Sequence, residues 1–180
     1  VEGLLTHDAL AALRRFCLDS TVWFDTSHAR GARGYIGADG MDGLACPLLF
    51  QIAEELRRAL PRVFAELPLV KLWAFKYDHR LQGIDAHADA AQVNVNFWIT
   101  PDEACVDPST GGLTVYDRPV PDDWDFAAYN ADPAALMRYV RASGGRPGQV
   151  PHRQNRAVVF DSALGHATQP IRFRPGYTNR

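Results

Sequence analysis

Along the chain, apolar positions first recur at helical spacing and later alternate at strand spacing. In HDALAALRRFCLD, Leu10, Leu13 and Cys17 share one face, Thr6 is placed to cap the first turn and Asp8 suits its positive end, which predicts a helix over about 7–18. CPLLFQIAEELRRALP predicts a second helix, with Pro47 in the first turn, a stripe of Leu49, Ile52 and Leu56, and a stop at Pro61. Between them, the glycine-rich stretch from His28 to Gly43 has no sustained period and reads as loop.

From Leu69 onward the period shortens to two. VKLWAFKYD, QVNVNFWIT, GGLTVYD, RAVVFDS and PIRFR read as strands separated by Gly, Pro and Asp turns. Asp132, Pro133 and the run AALMRYVRASGG interrupt them with a short capped helix. Helices first and antiparallel-looking strands afterwards predict an α+β domain, mainly β with flanking helices, or a double-sheet barrel with helices packed outside. The expected organisation is one domain over 1–180, with 1–68 as helical support and 69–180 as the β core. Val1 in place of Met, and a strand still running at Arg180, are read as marks of a piece of a longer chain.

Composition removes several alternatives. With 180 residues and 47% hydrophobic content, the material suffices for one well-buried core. A net charge of −2 and a pI near 6.3 supply no basic field for nucleic acid or anionic lipid. Cys17, Cys46 and Cys105 form neither a disulfide framework nor a CxxC site, which favours a reducing, cytoplasmic setting. No apolar run approaches the length of a membrane span, and the amino terminus lacks the pattern of a signal peptide.

The chemistry concentrates in DAHADA. His87 and Asp89 lie two apart, so in extended backbone both side chains leave the same face and can grip one ion; Asp85 shares that face and competes. His166, after the β run RAVVFDSALG, offers a second imidazole. Two neutral imidazoles and one carboxylate on one face of an octahedron leave positions open, the arrangement of oxygen-activating ferrous sites. His7, His28, His79 and His152 read as surface or structural, with His79 the reserve ligand. A zinc site activating water would use the same three residues.

The phrases around the motif, WAFKYD before it and NVNFWITPDEA, GGLTVYD, NRAVVFDSALGH and FRPGYTNR after it, resemble the 2-oxoglutarate and Fe(II)-dependent dioxygenase superfamily. Within it they are most similar to the dioxygenase-like domain that accompanies tetratricopeptide repeats. The resemblance covers about Leu69 to Arg180 and implies a double-stranded β-helix, or jelly-roll, cupin-like core. It implies Fe(II) on His87, Asp89 and His166, with 2-oxoglutarate and O2 as cosubstrates, and oxidative decarboxylation coupled to hydroxylation. A late basic residue would clamp the distal carboxylate bidentately. Arg180 is the candidate, fourteen positions after His166 where the family more often places it about ten after, with Arg172 and Arg174 as nearer alternatives.

Tyr77 matches the place of a tyrosine contacting the cosubstrate. Asn94 and Asn96 are pocket residues if their face of the strand points inward, since buried amides need partners. Gly111-Gly112 resembles the glycine that lets the next strand pass close to the site, and Asp161 and Ser162 are placed to orient His166. The primary substrate is left open, with a repeat-associated family tilting toward a protein or peptide side chain over a small molecule. A non-catalytic interaction module on a repeat protein is the remaining alternative.

Overall fold

A computed structural model describes residues 1–25, 34–77, 79 and 83–179. In chain order the elements are α1 (His7–Asp19), β1 (Ile36–Asp39), α2 (Pro47–Ala59), α3 (Pro61–Phe64), β2 (Trp73–Lys76), β3 (Val93–Phe97) and β4 (Leu113–Pro119). They continue with α4 (Phe126–Ala131), α5 (Pro133–Ala142), β5 (Pro147–Val150), β6 (Ala157–Asp161) and β7 (Leu164–Thr168). Three short 3₁₀ turns complete the set among the described residues.

The capping chemistry decides where the helices begin. Thr6 Oγ1 accepts from the amide of Ala9, Pro47 occupies the first turn of α2, and the Asp132 carboxylate accepts from Ala135 ahead of Pro133. Leu13 and Cys17 of α1 and Leu49 and Ile52 of α2 are buried together with Ala38 and Leu44. Leu72 and Ala74 beside and within β2, and Phe97 and Ile99 within and beyond β3, pack onto that cluster. One face of β2 and one face of β3 are thereby covered by helices, and alternation turns their other side chains away from the cluster. A second cluster joins Leu136 and Val140 of α5 and Tyr129 of α4 to Ala86, Ala88 and Val120.

All the strand pairings are antiparallel: β1 with β2, β3 with β6, and β4 between β5 and β7. The short turn at Ser162-Ala163, where Asp161 Oδ1 accepts from the Ala163 amide, passes the chain from the β3–β6 sheet to the β4–β7 sheet. His166 therefore sits inside a new strand and not at the end of the preceding one.

The sequence reading differs from the structure in three further places. The loop expected over 28–43 contains β1, because pairing with β2 decides the state of a segment whose own propensity is weak; residues 28–33 of that loop lie outside the described residues. PIRFR is extended with Ile171 and Phe173 buried, but its main chain bonds to Gly111 and to the turn around Ala104–Val106, and it belongs to none of the named sheets. Strand β5, carrying Pro147 and Gly148, has a composition that argues against a strand and is stabilised by its register with β4.

Gly111 and Gly112 stand where backbones crowd. Gly111 has φ +75°, and a Cβ on Gly112 would lie 2.0 Å from the Val150 carbonyl oxygen and 2.7 Å from the His152 amide nitrogen. Both obstacles are main chain and cannot rotate away. The close approach lets β4 start beside the chain leaving β5, with the Gln169 amide oxygen accepting from the Gly112 amide at 3.1 Å.

Candidate metal centre

Residues 84–89 lie antiparallel against β7. The His87 amide donates to the His166 carbonyl at 3.0 Å, the His166 amide donates back at 2.8 Å, and Thr168 donates to Ile84 at 3.1 Å. Residues that exchange both bonds stand directly opposite each other with side chains on one face. Hence the two imidazoles emerge together, with ring centroids 4.2 Å apart, and Asp89 follows two positions along the same face. Strand register converts a local motif and a distant histidine into one cluster.

His166 Nε2 is 3.3 Å from Asp89 Oδ2, and His87 Nε2 is 3.8 Å from Asp89 Oδ1. The ligand atoms of the three residues all lie within 4.8 Å of one another, the one such group of three or more among the described residues. Asp85 contributes its main chain: its carbonyl accepts from His87 Nδ1 at 2.8 Å, and the Leu164 carbonyl does the same for His166 Nδ1 at 3.0 Å. A carbonyl can only accept, so both protons are assigned to Nδ1 and both Nε2 atoms face the carboxylate. Two imidazole lone pairs and a carboxylate facing one another require a cation or an extra proton between them. The donor set thus fits a divalent metal ion, and the oriented rings are what metal-ligating histidines show.

Burial and the neighbouring His166 push His87 down to about 4, against the opposing pull of Asp89. Burial raises Asp89, but the pull of the His166 and His87 imidazoles when a proton stands between them and the carboxylate, together with the bond from Asn94, outweighs it and holds the carboxyl below its usual range. His87 and Asp89 are thereby deprotonated near neutrality, as metal binding requires. His87 also makes the metal-free fold acid-sensitive. Its folded value lies below the unfolded 6.5, so its full stabilisation holds above 6.5 and is lost as pH falls toward 4. The full loss is on the order of 3 kcal/mol. We expect the metal-free melting temperature to fall between pH 7 and pH 4.5, less steeply in a His87→Gln variant; equal slopes would contradict this assignment. His152, also lowered by burial, adds in the same direction to both proteins.

Asn94, on the inward face of β3, donates to Asp89 Oδ2 at 2.6 Å, and Ser162 Oγ donates to Asn94 Oδ1 at 2.9 Å, which fixes the amide's orientation. Ser162 therefore acts on Asp89 through Asn94, and its carbonyl accepts from the Asp89 amide at 3.0 Å. The expectation that Asp161 and Ser162 orient His166 is corrected: Asp161 caps its own turn, and the Leu164 carbonyl orients the ring. Asn94→Ala is expected to weaken divalent-metal binding by about ten- to a hundredfold, as read by chelator competition. An unchanged affinity would remove Asn94 from the centre.

Two residues escaped the sequence reading. Asn130 of α4 brackets Ala88, donating to its carbonyl at 2.9 Å and accepting from its amide at 3.1 Å, so it pins the peptide between His87 and Asp89. Phe160 packs edge-on against the His166 ring with centroids 5.0 Å apart. Neither lies in the motif; the only available signal for Asn130 was a lone amide in the otherwise apolar FAAYNA.

Tyr77 reaches the same region, with its hydroxyl 3.4 Å from Thr168 Oγ1, and burial pushes its phenol up to about 12. Asn96 is on the face of β3 that carries Asn94 and lines the same cavity, of about 1890 Å³, as the three donors and Tyr77. Arg180 lies outside the described residues. Arg172 and Arg174 are exposed, and Arg174 Nε donates to the Glu103 carbonyl. His7 and His79 are exposed, His28 lies outside the described residues, and His152 is buried between Trp98 and Phe173.

No family model matches the chain, and no curated protein matches it. Two solved structures are similar over nearly its whole length. One is the non-heme alpha ketoglutarate dependent epimerase SnoN from nogalamycin biosynthesis, at TM-score 0.62 and 18% identity, covering 94% of this chain and 70% of that one. The other is AviO1 from Streptomyces viridochromogenes Tue57, at TM-score 0.59 and 20% identity, covering 96% and 81%. At these identities the likeness establishes the fold alone, one of mixed helices and antiparallel strands shared with these two structures. No helix among the described residues is long and apolar enough to cross a membrane.

Proposed function

We propose that this chain is a non-haem Fe(II) oxygenase domain, built on a jelly-roll core, that couples oxidative decarboxylation of 2-oxoglutarate to hydroxylation of an organic substrate. The observation that carries the reading is the convergence of His87 Nε2, His166 Nε2 and the Asp89 carboxylate, oriented by main-chain carbonyls and Asn94. Bound Fe(II) would supply the site where 2-oxoglutarate and O2 react.

The chain's own residues supply the rest. His87 and His166 present lone pairs, Asp89 supplies charge, and Asn94 and Asn130 hold that carboxylate and its backbone in place. Tyr77, kept protonated, offers a hydroxyl donor toward the cosubstrate, and Asn96 offers an amide. Arg180, after the PGY turn, is the proposed clamp for the distal carboxylate, whose planar fork suits a guanidinium. A cytoplasmic setting and attachment to a tetratricopeptide repeat region belong to the same proposal.

The test is formation of succinate from 2-oxoglutarate with Fe(II), ascorbate and O2. Succinate above the no-enzyme rate, lost on chelation, is expected. Its absence at every iron loading would overturn the reading and favour a zinc hydrolase on the same ligands, or a non-catalytic module. Because SnoN is an epimerase, inversion at a substrate carbon is to be assayed beside hydroxylation.

A further inference from the structure

Strand β2 has two unlike faces. Leu72, Ala74 and Lys76 turn toward the α1–α2 cluster, where Lys76 is buried, donates to the Cys17 carbonyl at 2.8 Å and lies 4.0 Å over the Trp23 ring. The opposite face carries Trp73, Phe75 and Tyr77, spaced by two. Register with β1 places Asp39 opposite Trp73 and Gly37 opposite Phe75. Tyr35 meets Phe75 edge-on with centroids 4.8 Å apart.

This aromatic face runs into the donor cluster, because Tyr77 touches Thr168, two residues from His166 on the same strand. The cavity that holds His87, Asp89 and His166 is also lined by Trp73 and Phe75. Those two rings are 43% and 40% exposed, and both line that cavity. Large aromatics left open inside a cavity are what a ligand for that cavity covers. At the outer end, Lys71 bonds Asp39 at 3.0 Å and lies 5.6 Å over the Trp73 ring, so these charges already have partners.

We infer that this face is the substrate platform: Trp73 and Phe75 hold the flat, apolar ring system of a small organic molecule, and Tyr77 marks where its reacting edge meets the metal centre. The inference rests on the oxygenase reading for the word substrate, but not for the binding. Rings stack on flat partners in offset or edge-on geometry, which a puckered saturated skeleton of the same size does not reproduce.

The probes are 2-naphthol and the saturated trans-2-decalol, titrated calorimetrically into the full chain, metal-free and again with Mn(II). Naphthol is expected to bind about tenfold or more tightly than decalol, and Phe75→Leu and Trp73→Leu each to weaken it about tenfold. Phe50→Leu, at an exposed ring on α2, should leave binding unchanged. Circular dichroism confirms that each variant is folded. No naphthol binding, equal binding of the two probes, or undiminished binding in both β2 variants would overturn the platform. So would dimerisation of the chain that Phe75→Leu abolishes, which would make this face a contact between copies. Since ring binding is read without turnover, its failure leaves the succinate test standing, and a failed succinate test leaves ring binding standing.

Discussion

His166→Ala is expected to reduce divalent-metal affinity by more than about a hundredfold and to bring 2-oxoglutarate turnover to the no-enzyme rate, since even indirect supports of such ligands are worth ten- to a hundredfold. The side chain supplies one of three converging donors and the closer of the two imidazole nitrogens to Asp89, at 3.3 Å against 3.8 Å for His87. The fold should survive, because the bonds that lay residues 84–89 on β7 are made by main-chain groups of His87, His166, Ile84 and Thr168. His166 lines the cavity, so the space left beside Phe160 opens onto it. His152→Ala provides the contrast: it removes a buried imidazole whose Nε2 has no hydrogen-bond partner and which is packed by Trp98 and Phe173, so it should alter stability and leave metal affinity alone. Retained metal binding in His166→Ala, measured by chelator competition, would contradict the ligand set.

Gly112→Ala carries the largest expected cost in stability. Its methyl would sit 2.0 Å from the Val150 carbonyl oxygen, with the His152 amide and the Gln169 side chain also inside 3.0 Å. Relief requires moving β4 away from the chain that leaves β5, so the cost should reach or exceed the upper end of ordinary overpacking, about 3 kcal/mol. The Gln169 bond to Gly112 would be displaced as well. Gly148→Ala, where the added methyl meets only the Val115 carbonyl at 3.4 Å, is the matched control and should lie within about 1 kcal/mol of wild type. Chemical denaturation of the two variants checks this, and equal midpoints would show that the strands can separate at little cost.

The pair His87 and Asp89 was legible from period two alone, since extended backbone puts alternate residues on one face whatever the fold. Joining His166 to them depends on the register between 84–89 and β7, which no local pattern encodes; the family-like phrase around His166 carried that step. The three longer helices were legible because caps, prolines and apolar stripes agree. Strand β1 was not, because IGAD has weak preference and is held by β2. Asn130 was invisible for a related reason: its role comes from α4 packing over Ala88, far away in sequence. Asn94 was legible as a pocket residue, but its hold on Asp89, and Ser162's hold on it, follow from the turn that brings β7 next to β3's partner.

The central claim is that His87, Asp89 and His166 hold one metal ion. Titration with Mn(II), a redox-stable stand-in for Fe(II), followed by the loss of the free-ion electron paramagnetic signal, tests it most directly. Wild type should take up one equivalent and Asp89→Ala none over the same range. Uptake by Asp89→Ala equal to wild type, or no uptake by wild type, would contradict the account.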